Sequence, residues 1–129
     1  WARPKGYRRA LEKALRCYDA DPSRLLDCCR QAVYYEDAED LLAGLHAVAR
    51  DPHVTVVGAK NRLHAGHDAG GSAGYRDVTL LLTLDTPEAR RLGLTAHVCE
   101  MRLGLVALAQ LETVESHGRY LAWRNFGRP

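Results

Sequence analysis

The chain has 129 residues, of which 47% are hydrophobic and 26% charged, and its formal net charge is +2. This length predicts one domain with a single core, and the composition argues against disordered, collagen-like and coiled-coil proteins. No apolar run approaches the length of a membrane span and no signal-peptide pattern opens the chain, so no membrane partner is predicted. Because the chain begins at Trp1 rather than Met, we expect this single domain, residues 1–129, to be processed or to be a segment of a larger protein.

The first half of the chain is predicted to form two helices and two strands. Apolar residues at three- and four-residue spacings predict an amphipathic helix that begins at Tyr7 and ends near Asp19, before the turn signal Asp21-Pro22-Ser23. Residues 1–16 hold six basic side chains and one acidic one, so this segment carries a charge that can meet phosphate. A strand is predicted over residues 28–35, a helix over 36–50 and a second strand over 53–57.

The second half is predicted to be richer in strands. Residues 58–73 hold four glycines and little apolar content, which indicates a loop. Strands are predicted over 76–84 and 96–103, and residues 104–124 are predicted to form one helix, or two that are broken near Gly118. The order α-β-α-β-loop-β-β-α predicts an α/β (α+β) fold with a mixed four- to five-stranded sheet flanked by helices.

Two carboxylates lie on the polar faces of the last two predicted strands. Side chains alternate between the two faces of a strand, so Asp77 and Glu100 each lie opposite the apolar residues of their own strand. If these strands are neighbours with their polar faces aligned, the two carboxylates converge on one cleft. They would then hold a hard divalent cation such as Mg²⁺, which prefers oxygen ligands and bridges nucleotide phosphates. The alternative from alternation alone is that both carboxylates are solvated on the open face of a sheet.

The four cysteines are Cys17, Cys28, Cys29 and Cys99, and they form no C-x-x-C pair. Two of them are adjacent in sequence, and adjacent cysteines rarely bridge each other. Cys29 and Cys99 lie in apolar runs that are typical of strands, so we interpret them as reduced thiols in the core. The pattern predicts an intracellular, reducing compartment and indicates no particular organelle.

Four short blocks follow one another in a fixed order along nearly the whole chain. They are Arg3-Pro4-Lys5 with Lys13, Asp27 with Arg30, Gly74-Tyr75-Arg76-Asp77, and Cys99-Glu100-Met101. In this order and spacing they resemble the synthetase domain of the RelA/SpoT family, whose members move pyrophosphate from ATP onto a guanosine nucleotide. The resemblance implies a nucleotidyltransferase-related fold.

The resemblance also implies a role for each block. Glu100 would be the catalytic glutamate, and Asp27 or Asp77 would join it in catalysis by holding Mg²⁺. The acceptor nucleotide would bind at Tyr75, which would stack on its base, and at Arg76. The phosphates of the donor ATP would bind the basic residues Arg3, Lys5, Arg9, Lys13 and Arg30, among which Arg9 stands at the family's serine position.

Several positions depart from the family pattern, most of them on the acceptor side. Asp77 and Thr79 replace a serine and a histidine, and Arg102 replaces a glutamine two residues after Glu100. Two functions are therefore open. The chain is either an ATP:nucleotide pyrophosphotransferase that uses Mg²⁺, or a catalytically inactive RelA/SpoT-like domain that serves as a structural or interaction module in a larger assembly. Nucleotides are the predicted partners, and no specific nucleic acid is predicted.

Overall fold

The computed structural model describes residues 2–70 and 74–111, together with Gly118 and Ala122. One turn of 3₁₀ helix lies at Pro22–Arg24, and the strands are β1 (Arg30–Tyr35), β2 (Val54–Asn61), β3 (Val78–Leu84) and β4 (Cys99–Leu105). The helices are α1 (Tyr7–Cys17), α2 (Ala38–Arg50), α3 (Pro87–Arg91) and α4 (Val106–Ala109). None of the helices in this part of the chain combines the length and the apolar content needed to cross a membrane.

The described strands form one mixed sheet in the order β1-β4-β3-β2. β1 runs parallel to β4, whereas β4 with β3 and β3 with β2 are antiparallel pairs. Glu100 in the central strand β4 has Arg30 of β1 on one side and Leu81 of β3 on the other. This architecture confirms the predicted mixed sheet with flanking helices, and it makes the strand of Glu100 a neighbour of the strand that follows Asp77.

The core lies between α2 and one face of the sheet. Leu41 of α2 packs in a buried cluster with the apolar residues Val78, Leu80, Leu82 and Leu103 of β3 and β4. Because side chains alternate along a strand, Thr79 and Arg102, which pair with each other, lie on the opposite face together with Glu100. The polar faces of β3 and β4 are therefore aligned, which meets the condition for Asp77 and Glu100 to share one cleft.

Side-chain caps explain where two of the helices begin. The Asp37 carboxylate accepts a hydrogen bond from the backbone N–H of Asp40 at 2.9 Å, and α2 starts at the next residue after the cap. Thr86 caps α3 in the same way through the N–H of Ala89 at 3.1 Å. The sequence pattern did not predict α3, because five residues are too few to establish a helical period.

Three predictions about these elements are wrong. The loop predicted from residue 58 begins only after Asn61, because β2 continues through a shift in register between Val56 and Gly58 that is typical of a β-bulge. The strand β4 includes Gly104, which was predicted to start a helix. A Cβ at Gly104 would lie 3.0 Å from the ring of Tyr34 in β1, so glycine allows the two strands to pair closely there. Most of the rest of that predicted helix, beyond residue 111, lies outside the described residues.

The third correction concerns the cysteines. All four are free, but Cys29 is exposed and only Cys28 and Cys99 are partly buried. The interpretation of Cys29 as a core thiol is wrong, because it precedes β1 at the end of an edge strand rather than inside the sheet.

Candidate functional site

Two lysines from the N-terminal segment meet one aspartate. The ammonium groups of Lys5 and Lys13 both bind Asp27 Oδ2, and Lys13 Nζ lies 3.0 Å from that oxygen. The backbone N–H of Lys5 also donates to the carbonyl of Cys28 at 3.0 Å, which ties the segment before α1 to the segment before β1. Only 11% of the Lys5 side chain and 13% of the Asp27 side chain are exposed, so the pair is largely removed from water. We call Lys5, Lys13 and Asp27 the donor cluster.

The two lysines of the donor cluster favour the ionised form of Asp27. Burial opposes the charged form of this carboxyl, but hydrogen bonds from Lys5 and Lys13 outweigh burial and hold the pKa of Asp27 below its usual value. The pKa of Lys13 is raised: burial lowers it, and the interactions with Asp27 outweigh burial. The second oxygen, Asp27 Oδ1, is buried and has no hydrogen-bond partner among the described residues. Burying a carboxylate oxygen without a hydrogen-bond donor lowers the stability of the fold, so this atom is suited to bind a cation.

Glu100 lies in the same cleft as the donor cluster. Burial raises the pKa of Glu100, the negative charge of Asp27 raises it further, and the charges of Lys13 and Arg30 lower it. The N–H of Glu100 donates to the carbonyl of Cys29 at 2.9 Å, so Glu100 lies beside the segment that carries Asp27. The ion pair of Lys13 with Asp27 brings the basic side of α1 to the same segment. Arg30, directly opposite Glu100 on β1, is exposed.

Asp27 and Glu100 are carboxylates whose surroundings suit a divalent cation. Asp27 offers its unpartnered Oδ1, and Glu100 carries a charge that its surroundings disfavour until a cation neutralises it. In the described part of the chain, no group of three or more His, Cys, Asp and Glu side chains could hold a metal ion by itself. Proteins often bind Mg²⁺ through one or two carboxylates while nucleotide phosphates complete its coordination, so a Mg²⁺ site does not require a third carboxylate.

Asp77 has different surroundings from those of Asp27. It is 2% exposed, and each of its oxygens lies in an ion pair, Oδ1 with Arg62 Nη1 at 2.6 Å and Oδ2 with Arg102 Nε at 2.7 Å. Arg62 Nη1 also donates to Thr79 Oγ1 at 3.1 Å. A metal-ligand role for Asp77 stays a prediction, and the ion pairs favour a role in positioning the two arginines.

The residues predicted to bind the acceptor, Tyr75 and Arg76, lie beside the ion pairs of Asp77. The Arg102 guanidinium lies over the ring of Tyr75, 4.7 Å from its centroid, so Asp77 holds Arg102 against the predicted stacking residue. Arg76 Nη1 donates to the backbone carbonyl of Arg62 at 3.2 Å. Gly74 has φ +84°, a conformation that side chains disfavour, and this explains why glycine precedes Tyr75.

The structure thus brings Lys5, Lys13, Asp27 and Glu100 together and places Tyr75 next to Arg102. The remaining predicted donor residues are exposed, and they are Arg3, Arg9 and Arg30. Sequence reasoning missed Arg62, because it lies within residues 58–73, for which the glycine content predicts a loop. Finding Arg62 would have required predicting that β2 extends to Asn61. The longer strand brings the N–H of Arg62 to within 2.8 Å of the carbonyl of Asp77.

Comparison with known proteins identifies the fold. No family model and no curated protein matches this sequence. The structure of small alarmone synthetase 1 from Bacillus subtilis, bound to its product pppGpp, superposes with a TM-score of 0.70 over 92% of this chain, at 21% sequence identity. The fold is that of the small alarmone synthetases.

Other structures of this group agree. A GTP pyrophosphokinase family protein from Streptococcus pneumoniae has a TM-score of 0.70 at 18% identity and covers 96% of this chain. Small alarmone synthetase 2 from Bacillus subtilis has a TM-score of 0.68 at 14% identity and covers 98%. The chain spans 60%, 60% and 63% of the lengths of these three proteins, in the order given. The RelA/SpoT-like resemblance of the sequence is therefore confirmed at the level of the fold.

Proposed function

We propose that this domain binds ATP with Mg²⁺ and transfers pyrophosphate from ATP to a hydroxyl group of a second nucleotide. The observation that carries the proposal is the convergence of Lys5, Lys13, Asp27 and Glu100 on one cleft, although they come from three blocks spread over most of the chain. These are the residue types that phosphoryl transfer needs, since positioning and charge stabilisation supply most of its catalysis.

The donor half of the site would hold the ATP phosphates. Lys5 and Lys13 would turn from Asp27 toward the phosphates, and the exposed guanidinium groups of Arg3, Arg9 and Arg30 would add charge around them. Asp27 and Glu100 would hold the Mg²⁺, whose bound charge supplies electrostatic stabilisation of the phosphate oxygens.

Glu100 would also act as the general base toward the acceptor hydroxyl. The hydroxyl oxygen attacks the β-phosphorus of ATP, the bond from that phosphorus to the oxygen bridging the α-phosphate breaks, and AMP leaves with the bridging oxygen. Glu100 takes the proton of the attacking hydroxyl. In the ligand-free protein burial raises the pKa of Glu100, and a carboxylate with a raised pKa accepts a proton more readily.

An inactive interaction module is the second candidate, and a specific feature favours it. The apolar face of α1 is open to solvent, with Tyr7 82%, Leu11 45% and Leu15 59% exposed. An exposed apolar face of this kind is typical of a surface that meets a protein partner. The loss of the family's serine and histidine around Asp77 and Thr79 also agrees with lost catalysis.

Incubation with labelled ATP, Mg²⁺ and a panel of nucleotides separates the two functions. A pyrophosphorylated acceptor, formed together with an equal amount of AMP, would support the enzyme. AMP without a labelled acceptor would indicate simple hydrolysis. ATP left unchanged with every nucleotide, by protein that is folded and monodisperse, would leave the interaction module as the better proposal.

We expect Lys13→Gln to weaken the binding of Mg²⁺-ATP about 10- to 100-fold, because a hydrogen bond to a charged group contributes about 1.5–3 kcal/mol. Titration calorimetry would measure the affinity. Arg50→Gln is a matched control: it removes the same charge from the last turn of α2, which packs on the opposite face of the sheet. Equal ATP affinity in the wild type and Lys13→Gln would remove Lys13 from the donor site.

We expect the acceptor site to show no preference for guanine over adenine nucleotides. Stacking on Tyr75 tolerates every base and contributes about 1–3 kcal/mol per base in single-stranded nucleic-acid complexes. Base choice needs hydrogen bonds to the base edge, and Asp77, Thr79 and Arg102 in this region bond to one another or to Arg62. Calorimetry with GDP, GTP and ADP would test this. Guanine-selective binding that is lost in Tyr75→Ala would contradict it.

A further inference from the structure

The ends of β1 and β4 place two cysteines next to each other. These strands are parallel with Arg30 opposite Glu100, and the N–H of Glu100 donates to the carbonyl of Cys29 at 2.9 Å. Cys29 and Cys99 precede these two residues, so they are neighbours across the ladder on the sheet face opposite Glu100. Adjacent strands lie about 4.8 Å apart, and a disulfide accepts Cα atoms about 4.4–6.8 Å apart. The backbone therefore already has the spacing that a disulfide needs.

The side chains of this pair face the same space. Cys29 and Cys99 line one cavity of about 450 Å³, which lies at the end of the sheet below the last turn of α2. Cys29 is exposed, so a small molecule in solution can reach it.

We propose that Cys29 and Cys99 are an oxidisable dithiol, which a small-molecule disulfide such as oxidised glutathione closes into a reversible cross-link between β1 and β4. The cavity that the dithiol lines also contains Glu100 and Arg30 of the proposed nucleotide site, but the exchange itself needs no nucleotide.

The chemistry takes two exchanges. The Cys29 thiolate attacks one sulfur of oxidised glutathione, the glutathione S–S bond breaks, and one glutathione leaves with the electron pair. Cys99 then loses its proton to solvent, and its sulfur attacks the Cys29 sulfur of the mixed disulfide. The second glutathione leaves, so two protein thiols are oxidised while one oxidised glutathione is reduced to two thiols.

Closure should stabilise the domain. Cys29 and Cys99 are roughly 70 residues apart in sequence, and a cross-link over a long loop removes much of the conformational freedom of the unfolded chain. We expect the thermal midpoint of the ligand-free protein to rise by several degrees on oxidation and to return after dithiothreitol.

The cross-link is tested by treating the protein with oxidised glutathione, blocking the remaining thiols and digesting with trypsin without reduction. We expect a linked pair of peptides, residues 25–30 and 92–102, that dithiothreitol separates. Cys28→Ser should still form it and Cys29→Ser should not, which assigns the bond within the first peptide. Cys29 is exposed, so its serine variant tests the bond even if Cys99→Ser fails to fold.

Three outcomes would overturn the proposal. These are a bond between Cys28 and Cys29, a glutathione adduct on Cys29 that persists while Cys99 stays reduced, and a thermal shift that is equal in the wild type and Cys29→Ser. None of these readouts depends on nucleotide binding, so the dithiol and the proposed pyrophosphate transfer succeed or fail separately.

Discussion

Replacing Glu100 by Gln should lower the rate of pyrophosphate transfer about 10²- to 10⁴-fold, the range that a positioned general base contributes. The amide keeps the size of the side chain but can neither accept the proton of the hydroxyl nor balance the charge of Mg²⁺. Product formed from labelled ATP measures the rate. Glu39→Gln is a suitable control, because it makes the same change at an exposed residue in the first turn of α2. Similar rates in the wild type and Glu100→Gln would mean that Glu100 is not the base.

The same variant should make the ligand-free protein more stable at pH 7. Burial raises the pKa of Glu100 in the folded protein above its unfolded value, so its charge costs stability above the folded pKa. That cost fades as the pH falls through the folded pKa toward the unfolded value of about 4.3, where the carboxyl is protonated in both states. The gain in thermal midpoint should therefore be present at pH 7 and mostly gone at pH 4. A gain that does not depend on pH would point to packing instead of charge.

Asp77→Asn should lower the free energy of unfolding by about 3 kcal/mol, the lower end of the cost of breaking a buried ion pair from one side. The asparagine would leave the guanidinium groups of Arg62 and Arg102 without their counter-charge at a position that is 2% exposed. Urea unfolding followed by circular dichroism measures the change.

A second ion pair provides the control. Asp85 binds Arg90 at 2.6 and 2.8 Å, but 53% of the Asp85 side chain and 67% of the Arg90 side chain are exposed. Water screens such a pair, so Asp85→Asn should change stability far less than Asp77→Asn. Equal losses in the two variants would show that burial does not determine the strength of the Asp77 network.

Local patterns predicted much of this fold because they depend on neighbours in sequence. Alternation along β3 and β4 assigned Asp77 and Glu100 to the polar face. Leu81 lies on the same face as Asp77 and pairs with Glu100, so the structure places both carboxylates on one face of the sheet. Gly58 explains why the predicted loop began too early. Glycine often ends a strand, but in this chain Gly58 lies beside a β-bulge, and pairing with β3 continues the strand to Asn61.

Long-range pairing could not be predicted from such patterns. The contact of Asp77 with Arg62 depends on the antiparallel register of β2 and β3, and the convergence of Asp27 with Glu100 depends on the parallel register of β1 and β4. The family resemblance, rather than periodicity, brought Asp27 and Glu100 into one predicted site. It gave no signal for Arg62, which none of the four blocks contains.

β1 lies at one end of the described sheet, so the donor cluster next to β1 and Glu100 on β4 should fold at different stages. β2, β3 and β4 follow one another in the chain and pair in that order. Among the described strands β1 bonds only to β4, and it must close a loop of roughly 70 residues to do so. Pairing of distant segments is the slow part of folding, so β1 should join a sheet that the other strands have already formed. It should also be the first strand to leave in partial opening, since no strand among the described residues pairs with its other edge. Because Lys5 and Asp27 are tied to the segment just before β1, the donor cluster would leave Glu100 as one unit while the rest of the sheet stays folded.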